Sequence, residues 1–151
     1  MQVWRLANRD RTGLDGDGAR LYGGRWNQPG TAVIYTASTL SLAVVEYLVH
    51  LNPDKIPDTL VVIAGEIPDT LLVTQIDLAT LSPHWNALTL QPGTQQIGTQ
   101  WVLTGNSAVL RVPSVVIPQE SNYVLNPHHA QFAAITWSPP APFSLDPRLL
   151  S

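Results

Sequence analysis

Tyr22-Gly-Gly-Arg-Trp-Asn27, then Thr31-Ala-Val-Ile-Tyr-Thr36, then Leu40-Ser-Leu-Ala-Val-Val-Glu46 is the stretch around which the chain is organised. A double glycine, an Arg, a Trp and an Asn precede a short β-branched run, which reads as a strand. Ser38 or Thr39 can cap a following helix and Asn52-Pro53 stops it, so a helix is expected over Leu40 to Leu51. Leu42, Val45 and Val49 share one face, with Ala43 and Tyr47 beside them, and a helix apolar on nearly every side is buried. Glu46 and His50 share a face of it. Only 13% of the chain is charged. A lone Glu in such a setting is costly unless it is paired or used.

Outward from this stretch the pattern predicts many short elements joined by turns. Gln2 to Leu6 reads as an edge strand carrying Arg5. Asn8 to Ala19 is polar and Gly-rich, hence a loop. Its Asp-Gly-Asp-Gly lacks the later ligands and closing Glu of a calcium loop, so no metal is expected there. Thr59 to Ile67 reads as a central strand covered on both faces, and Leu71 to Ile76 as another. Ser82 to Leu90 is irregular or a short helix, and Gly93 to Leu103 is helical. Ser107–Arg111 and Ser114–Ile117 alternate around Pro113, which places one of them at an edge or bulge. Glu120 to Pro127 reads as a loop and Phe132 to Trp137 as a last strand. The tail, residues 138–151, is Pro-rich and is expected to pack loosely or dock on a partner. Strands outnumber helices without strict alternation, which makes the class α+β.

The chain has 151 residues and 44% hydrophobic content, enough for one domain with an ordinary core. Its 8 basic and 11 acidic residues give a net charge of −3. Lys55 is the only Lys and the Arg residues are scattered, so no phosphate-neutralising patch for nucleic acid is expected. With 0 Cys, disulfides, thiol catalysis and Cys-ligated zinc are excluded, which fits a reducing cytoplasm. Neither a signal peptide nor a membrane span is expected, since no apolar run approaches ~20 residues.

Several side chains could carry chemistry. Glu46 either forms a structural ion pair, with Arg25 or Arg5 as candidates, or sits where its pKa is raised or its charge faces a developing cation. Arg25 offers a planar fork suited to phosphate or carboxylate. Gly23 and Gly24 allow a ligand close to the main chain. Trp26 either stacks on a base or fills the core, and Tyr35 is either a core aromatic or a ring that stacks on a flat ligand. Both standard nucleotide motifs fail: there is no G-x-G-x-x-G and no P-loop Lys. Ser114 lacks a nucleophile elbow and a nearby His, so its hydroxyl is read as a donor to phosphate or ribose. His128 and His129 are adjacent and point apart on an extended chain, so a shared metal is not expected.

Taken together, Arg5, Tyr22-Gly-Gly-Arg-Trp-Asn27, Val33-Ile-Tyr35, Ser41-Leu-Ala-Val-Val-Glu46, Val112-Pro-Ser114 and Asn122-Tyr-Val-Leu-Asn-Pro127 resemble the RES domain. Its members are toxins of bacterial toxin–antitoxin pairs, named for an Arg, a Glu and a Ser. The resemblance spans nearly the whole chain, except that about Ile67 to Thr99 carries no usable signature. It implies a single domain of ADP-ribosyltransferase-like fold, with a central mixed or antiparallel sheet flanked by short helices. It also implies NAD+ as substrate rather than cofactor. The named trio falls on Arg25, Glu46 and Ser114; Tyr35 matches the family's aromatic and Arg5 a further basic residue. On this reading Arg25 and Arg5 hold the pyrophosphate, Tyr35 stacks near the nicotinamide, and Ser114 bonds the ribose or a phosphate. Trp26, Asn27 and Asn122 complete the NAD+ contacts. The implied partner is an Xre-type helix-turn-helix antitoxin, which would carry any DNA contact, with room for a homo-oligomer within the complex. Three readings follow: an NAD+-degrading toxin, a transferase that ADP-ribosylates a host protein, and a non-enzymatic binding module.

Overall fold

The computed structural model describes residues 1–150. Among them the elements run β1 (Gln2–Asn8), α1 (Asp17–Tyr22), β2 (Ile34–Ala37), α2 (Leu40–Leu48), β3 (Leu60–Glu66), β4 (Val73–Gln75), α3 (Pro92–Thr104), β5 (Val109–Pro113), β6 (Ser121–Leu125), β7 (Thr136–Trp137) and β8 (Ala141–Pro142). The strands form one mixed sheet in the order β4-β5-β6-β2-β1-β3-β7, with β8 paired to β3. Among the described residues only β4 and β5 run parallel. The α+β class and the flanking short helices are as the sequence implies.

The sheet has a seam. β1 pairs with β3 along its whole length, from Gln2–Glu66 to Asn8–Leu60, but meets β2 only at Trp4–Ala37. The β1-β3-β7 half therefore diverges from the β2-β6-β5-β4 half beyond that pair. Helix α2 covers the seam: Leu42 and Ala43 pack on Ala37, with Trp4 and Ile117 against them. Strand alternation divides the remaining core. Val3, Ile34, Val109, Tyr123 and Leu125 build one side. Trp26, Leu110, Val112, Val124, Trp85 and Trp101 build the other. Each fully buried aliphatic side chain contributes about 2 kcal/mol by removal from water.

Several expectations are corrected. β1 is interior, between β2 and β3, not an edge. Part of the expected loop over Asn8 to Ala19 forms α1, entered through Gly16 at φ 72°. Helix α2 stops at Leu48 and is buried only along Leu42, Ala43 and Val44, while Val49 is 55% exposed. Ser114 to Ile117 is no strand, because β5 ends at Pro113. Ser121–Leu125, expected as loop, is an interior strand between β5 and β2. Its polar start obscured it, since Asn122 takes a place where alternation calls for an apolar side chain. Phe132 falls in a 3-10 turn, Ala130–Ala134, and only Thr136–Trp137 extends. The tail is not loose at its start: Ala141 and Pro142 pair with Val62 and Val61 of β3.

Candidate functional site

Glu46 is placed by helix phase. The Thr39 hydroxyl accepts from Leu42 N at 3.1 Å, capping α2 over the seam, and the last helical turn then carries Glu46 toward β5 and β6. Two side chains donate to a single carboxylate oxygen, Oε1: the Ser114 hydroxyl at 2.6 Å and Asn122 Nδ2 at 2.8 Å. The loop after β5 holds Ser114 in turn. Its Oγ accepts from Val116 N at 3.2 Å and Ile117 N at 3.0 Å, and its own N–H donates to Glu120 O at 2.9 Å. A hydroxyl has one hydrogen, so Ser114 delivers it to Glu46. Among the described residues Glu46 Oε2 takes no hydrogen bond, and the side chain is half-buried. One oxygen is pinned and the other is open.

The Gly23–Asn27 turn is built from the inside. Asn27 is fully buried, and its Nδ2 donates to Ala19 O at 2.8 Å, Thr31 O at 3.0 Å and Gln28 O at 3.3 Å. The Tyr35 hydroxyl donates to Asn27 Oδ1 at 2.6 Å and accepts from Trp26 N at 3.0 Å. Burial pushes the Tyr35 phenol well above its usual range, opposed by the bond from Trp26. Gly24 has no room for a side chain, since a Cβ would stand 2.6 Å from that hydroxyl. Helix α3 closes the turn from outside: Gln95 Nε2 reaches Gly24 O at 3.1 Å and Thr99 Oγ1 accepts from Gln28 N at 3.0 Å. Gly98 lies directly against the Trp26 carbonyl.

Arg25 emerges from this turn half-buried. Its Nη1 donates to Trp85 O and Thr89 O, both at 3.2 Å, and its Nη2 to Ala87 O at 2.7 Å. Three carbonyls of one loop thus fix the plane of the guanidinium. A guanidinium has five N–H donors, so Nε–H and a second Nη2 hydrogen stay free for a ligand. Burial lowers the Arg25 pKa, opposed by the nearby Glu46 carboxylate, and the group stays cationic. Among the described residues Arg25 and Glu46 form no ion pair. Arg5 stands next to the seam pair Trp4–Ala37 and donates to one protein acceptor, Gly13 O at 3.1 Å. Burial lowers its pKa too, opposed by Asp15.

Of the eight side chains expected in the site, the structure joins Glu46, Ser114 and Asn122 by hydrogen bonds and brings Arg25 within reach of the same charge. Three expected roles are corrected. Trp26 is 2% exposed and packs on Trp85 with ring centroids 6.2 Å apart, so it cannot stack on a base. Asn27 has every polar atom engaged within the protein and cannot contact a ligand. Ser114 is 0% exposed with its hydroxyl fully used, so it serves Glu46 and not a ribose or phosphate. Tyr35 likewise has its hydroxyl engaged and offers only its ring. No hydrogen bond links Arg5 to the Glu46 cluster.

The carbonyls of Trp85, Ala87 and Thr89, and Gln95 and Thr99 of α3, were missed. They lie in the segment without a signature, and main-chain acceptors leave no trace in residue identity. His129 is structural, its Nδ1 accepting from Gln131 N at 3.0 Å and its Nε2 lying 2.9 Å from Gly105 O. Among the described residues no group of His, Asp and Glu is arranged to hold a metal ion, and no helix is long and apolar enough to cross a membrane.

The family model described as the RES domain matches residues 2–146. A relative from Sphingobium sp. (strain YBL2), named Prs ADP-ribosylating toxin, is 36% identical over 97% of this chain and 95% of its own. One from Yersinia enterocolitica, named Toxin Res, is 39% identical over 89% of this chain and 88% of its own. Among solved structures, the M. tuberculosis MbcT-MbcA toxin–antitoxin complex contains a chain that superposes with a TM-score of 0.74 at 19% identity. The match covers 99% of this chain and 86% of that one.

Proposed function

The chain belongs to the RES domain family, and from that premise we propose that it is the toxin of a toxin–antitoxin pair that cleaves the nicotinamide–ribose bond of NAD+. The observation that carries this reading is the Glu46 carboxylate, with Oε1 held by Ser114 and Asn122 and Oε2 open. As the C–N bond stretches, positive charge builds on the ribose carbon and ring oxygen. A carboxylate already fixed in place stabilises that charge with little reorganisation. Nicotinamide departs as a neutral leaving group and takes the bonding electron pair, so no strong general acid is required.

The remaining groups suit the rest of the substrate. Arg25 presents two free N–H donors on a guanidinium that three carbonyls hold in plane, a geometry suited to a pyrophosphate oxygen. Arg5, a desolvated cation with one protein acceptor, is a second anchor for the same group. The Tyr35 ring flanks the nicotinamide. Water attacking the ribose carbon gives ADP-ribose, nicotinamide and a proton; inorganic phosphate gives the corresponding ADP-ribose phosphate. NAD+ loss in the cytoplasm then arrests growth. The partner is an Xre-type antitoxin whose helix-turn-helix supplies the DNA contact that the scattered charges here do not.

Transfer of ADP-ribose to a protein is the second reading, favoured by the printed name of the Sphingobium relative. Incubating the purified protein with NAD+ labelled on the adenylate and identifying the products separates the outcomes. Free ADP-ribose or its phosphate is expected, and must vanish with Glu46→Gln. Label retained on a protein band would move the assignment to transfer. NAD+ left intact by soluble, folded protein would remove both.

A further inference from the structure

Asn122 sits in the middle of the sheet. Its main chain is paired on both sides, with Val112 of β5 and Ala37 of β2, so its position is fixed by register. By alternation its side chain shares a face with Val124, which is 0% exposed in the core beside Trp26 and Leu110. An apolar residue would suit that place. The amide instead donates Nδ2–H to Glu46 Oε1 at 2.8 Å, and its Oδ1 is buried with no hydrogen-bond partner. A buried carbonyl without a donor is unfavourable and rare in folded proteins. Turning the amide over would not help, because it would set Oδ1 against the carboxylate. The orientation is thus dictated by Glu46, and the fold carries an unsatisfied acceptor to keep it.

We propose that Asn122 is a positioning residue for Glu46: its N–H, with the Ser114 hydroxyl, holds Oε1 and turns Oε2 alone toward the reacting centre. The two donors come from different elements, β6 and the loop after β5, so together they fix both the place and the rotation of the carboxylate. This assignment rests on Glu46 being the reacting carboxylate. It also shifts the expected role of Asn122 from substrate contact to support of Glu46, since Nδ2 already donates to that carboxylate and Oδ1 is buried.

Two variants of the full chain test it, Asn122→Ala and Asn122→Asp, each read by steady-state kinetics across pH and by thermal unfolding. Asn122→Ala removes the donor together with the orphaned acceptor. Its kcat should fall by about tenfold to a hundredfold, the scale of a misplaced reacting group, with KM little changed and Tm unchanged or raised. Asn122→Asp keeps the shape but sets a second carboxyl against Glu46. Two such groups cannot both ionise freely, so the acidic limb of the rate profile should move to higher pH. A merely structural Asn122 would give the opposite pattern, with activity falling only in step with Tm and the limb unmoved, and that result overturns the proposal. If wild-type protein leaves NAD+ intact, the NAD+ reading fails on its own and growth arrest becomes the readout. Loss of arrest in Asn122→Ala at undiminished soluble protein then supports the positioning role, and retained arrest refutes it.

Discussion

Glu46 and Asn27 are both polar side chains set in apolar surroundings, and the fold treats them in opposite ways. Every polar atom of Asn27 is matched: Nδ2 to three carbonyls, Oδ1 to the Tyr35 hydroxyl. Glu46 has donors on one oxygen and none on the other. Full satisfaction marks a scaffold, because nothing is left to bind. Partial satisfaction of a charge, with the neighbours engaged in orienting it, marks a group kept for chemistry. The same contrast divides the turn internally. Trp26, Asn27 and the Tyr35 hydroxyl are used up holding it together, while Arg25 leaves it with two donors to offer.

The contrast is broken most directly at Glu46. Glu46→Gln keeps the shape and an oxygen for Ser114 and Asn122 but removes the charge. NAD+ consumption should fall by about 10³-fold or more, with Tm nearly unchanged; a Gln variant that retains rate would end the distinction. Asn27→Ala should do the reverse. It leaves Thr31 O and the Tyr35 hydroxyl hydrogen without a partner, while Ala19 O and Gln28 O keep Gly23 N and Thr31 N; the cost is about 3 kcal/mol of unfolding free energy, while activity per folded molecule falls only as far as Arg25 is displaced. Gly98→Ala probes the outer clamp. A Cβ there would stand well inside contact distance of the Trp26 main-chain oxygen, so backbone must shift and the cost lies at the upper end of overpacking, about 3 kcal/mol, read as a lowered Tm.

The sequence showed some of this and hid the rest for definite reasons. Helix α2, its Thr39 cap and its lone acid were readable, because capping and burial leave marks in residue type. So was the strand expected over Thr31–Thr36, of which Ile34–Thr36 lie in β2 and Thr31–Val33 do not. β6 was not, since Ser121 and Asn122 are polar in a strand with neighbours on both sides, and the departure from alternation at Asn122 coincides with the carboxylate it orients. Glu46, Ser114 and Asn122 meet in one cluster, but several roles expected from residue type differ. Residue type cannot say whether a hydroxyl or an amide is already engaged; that depends on Val116 N, Ile117 N and Thr31 O, main-chain atoms placed by loops. The anchoring of Arg25 by Trp85, Ala87 and Thr89 was unreadable for the same reason.

Tyr35 gives the smallest and most specific test of the scaffold side. Tyr35→Phe removes a hydroxyl that donates to Asn27 Oδ1 and accepts from Trp26 N, leaving both without their partner at about 1–2 kcal/mol. A pH signature separates this from a general packing loss. Burial raises the native phenol above the ordinary value of 10.0 that holds in the unfolded chain. Above that pH the unfolded chain sheds the proton while the native protein retains it, so unfolding gains a favourable step. The contribution of Tyr35 is therefore constant below pH 10.0 and declines as pH rises beyond it. Phe has no proton to lose. Denaturant unfolding of wild type and Tyr35→Phe should run parallel from neutral pH upward and converge in the alkaline range. Curves that stayed parallel there would mean that the hydroxyl reaches water, and the claim that it is engaged wholly within the protein would fail.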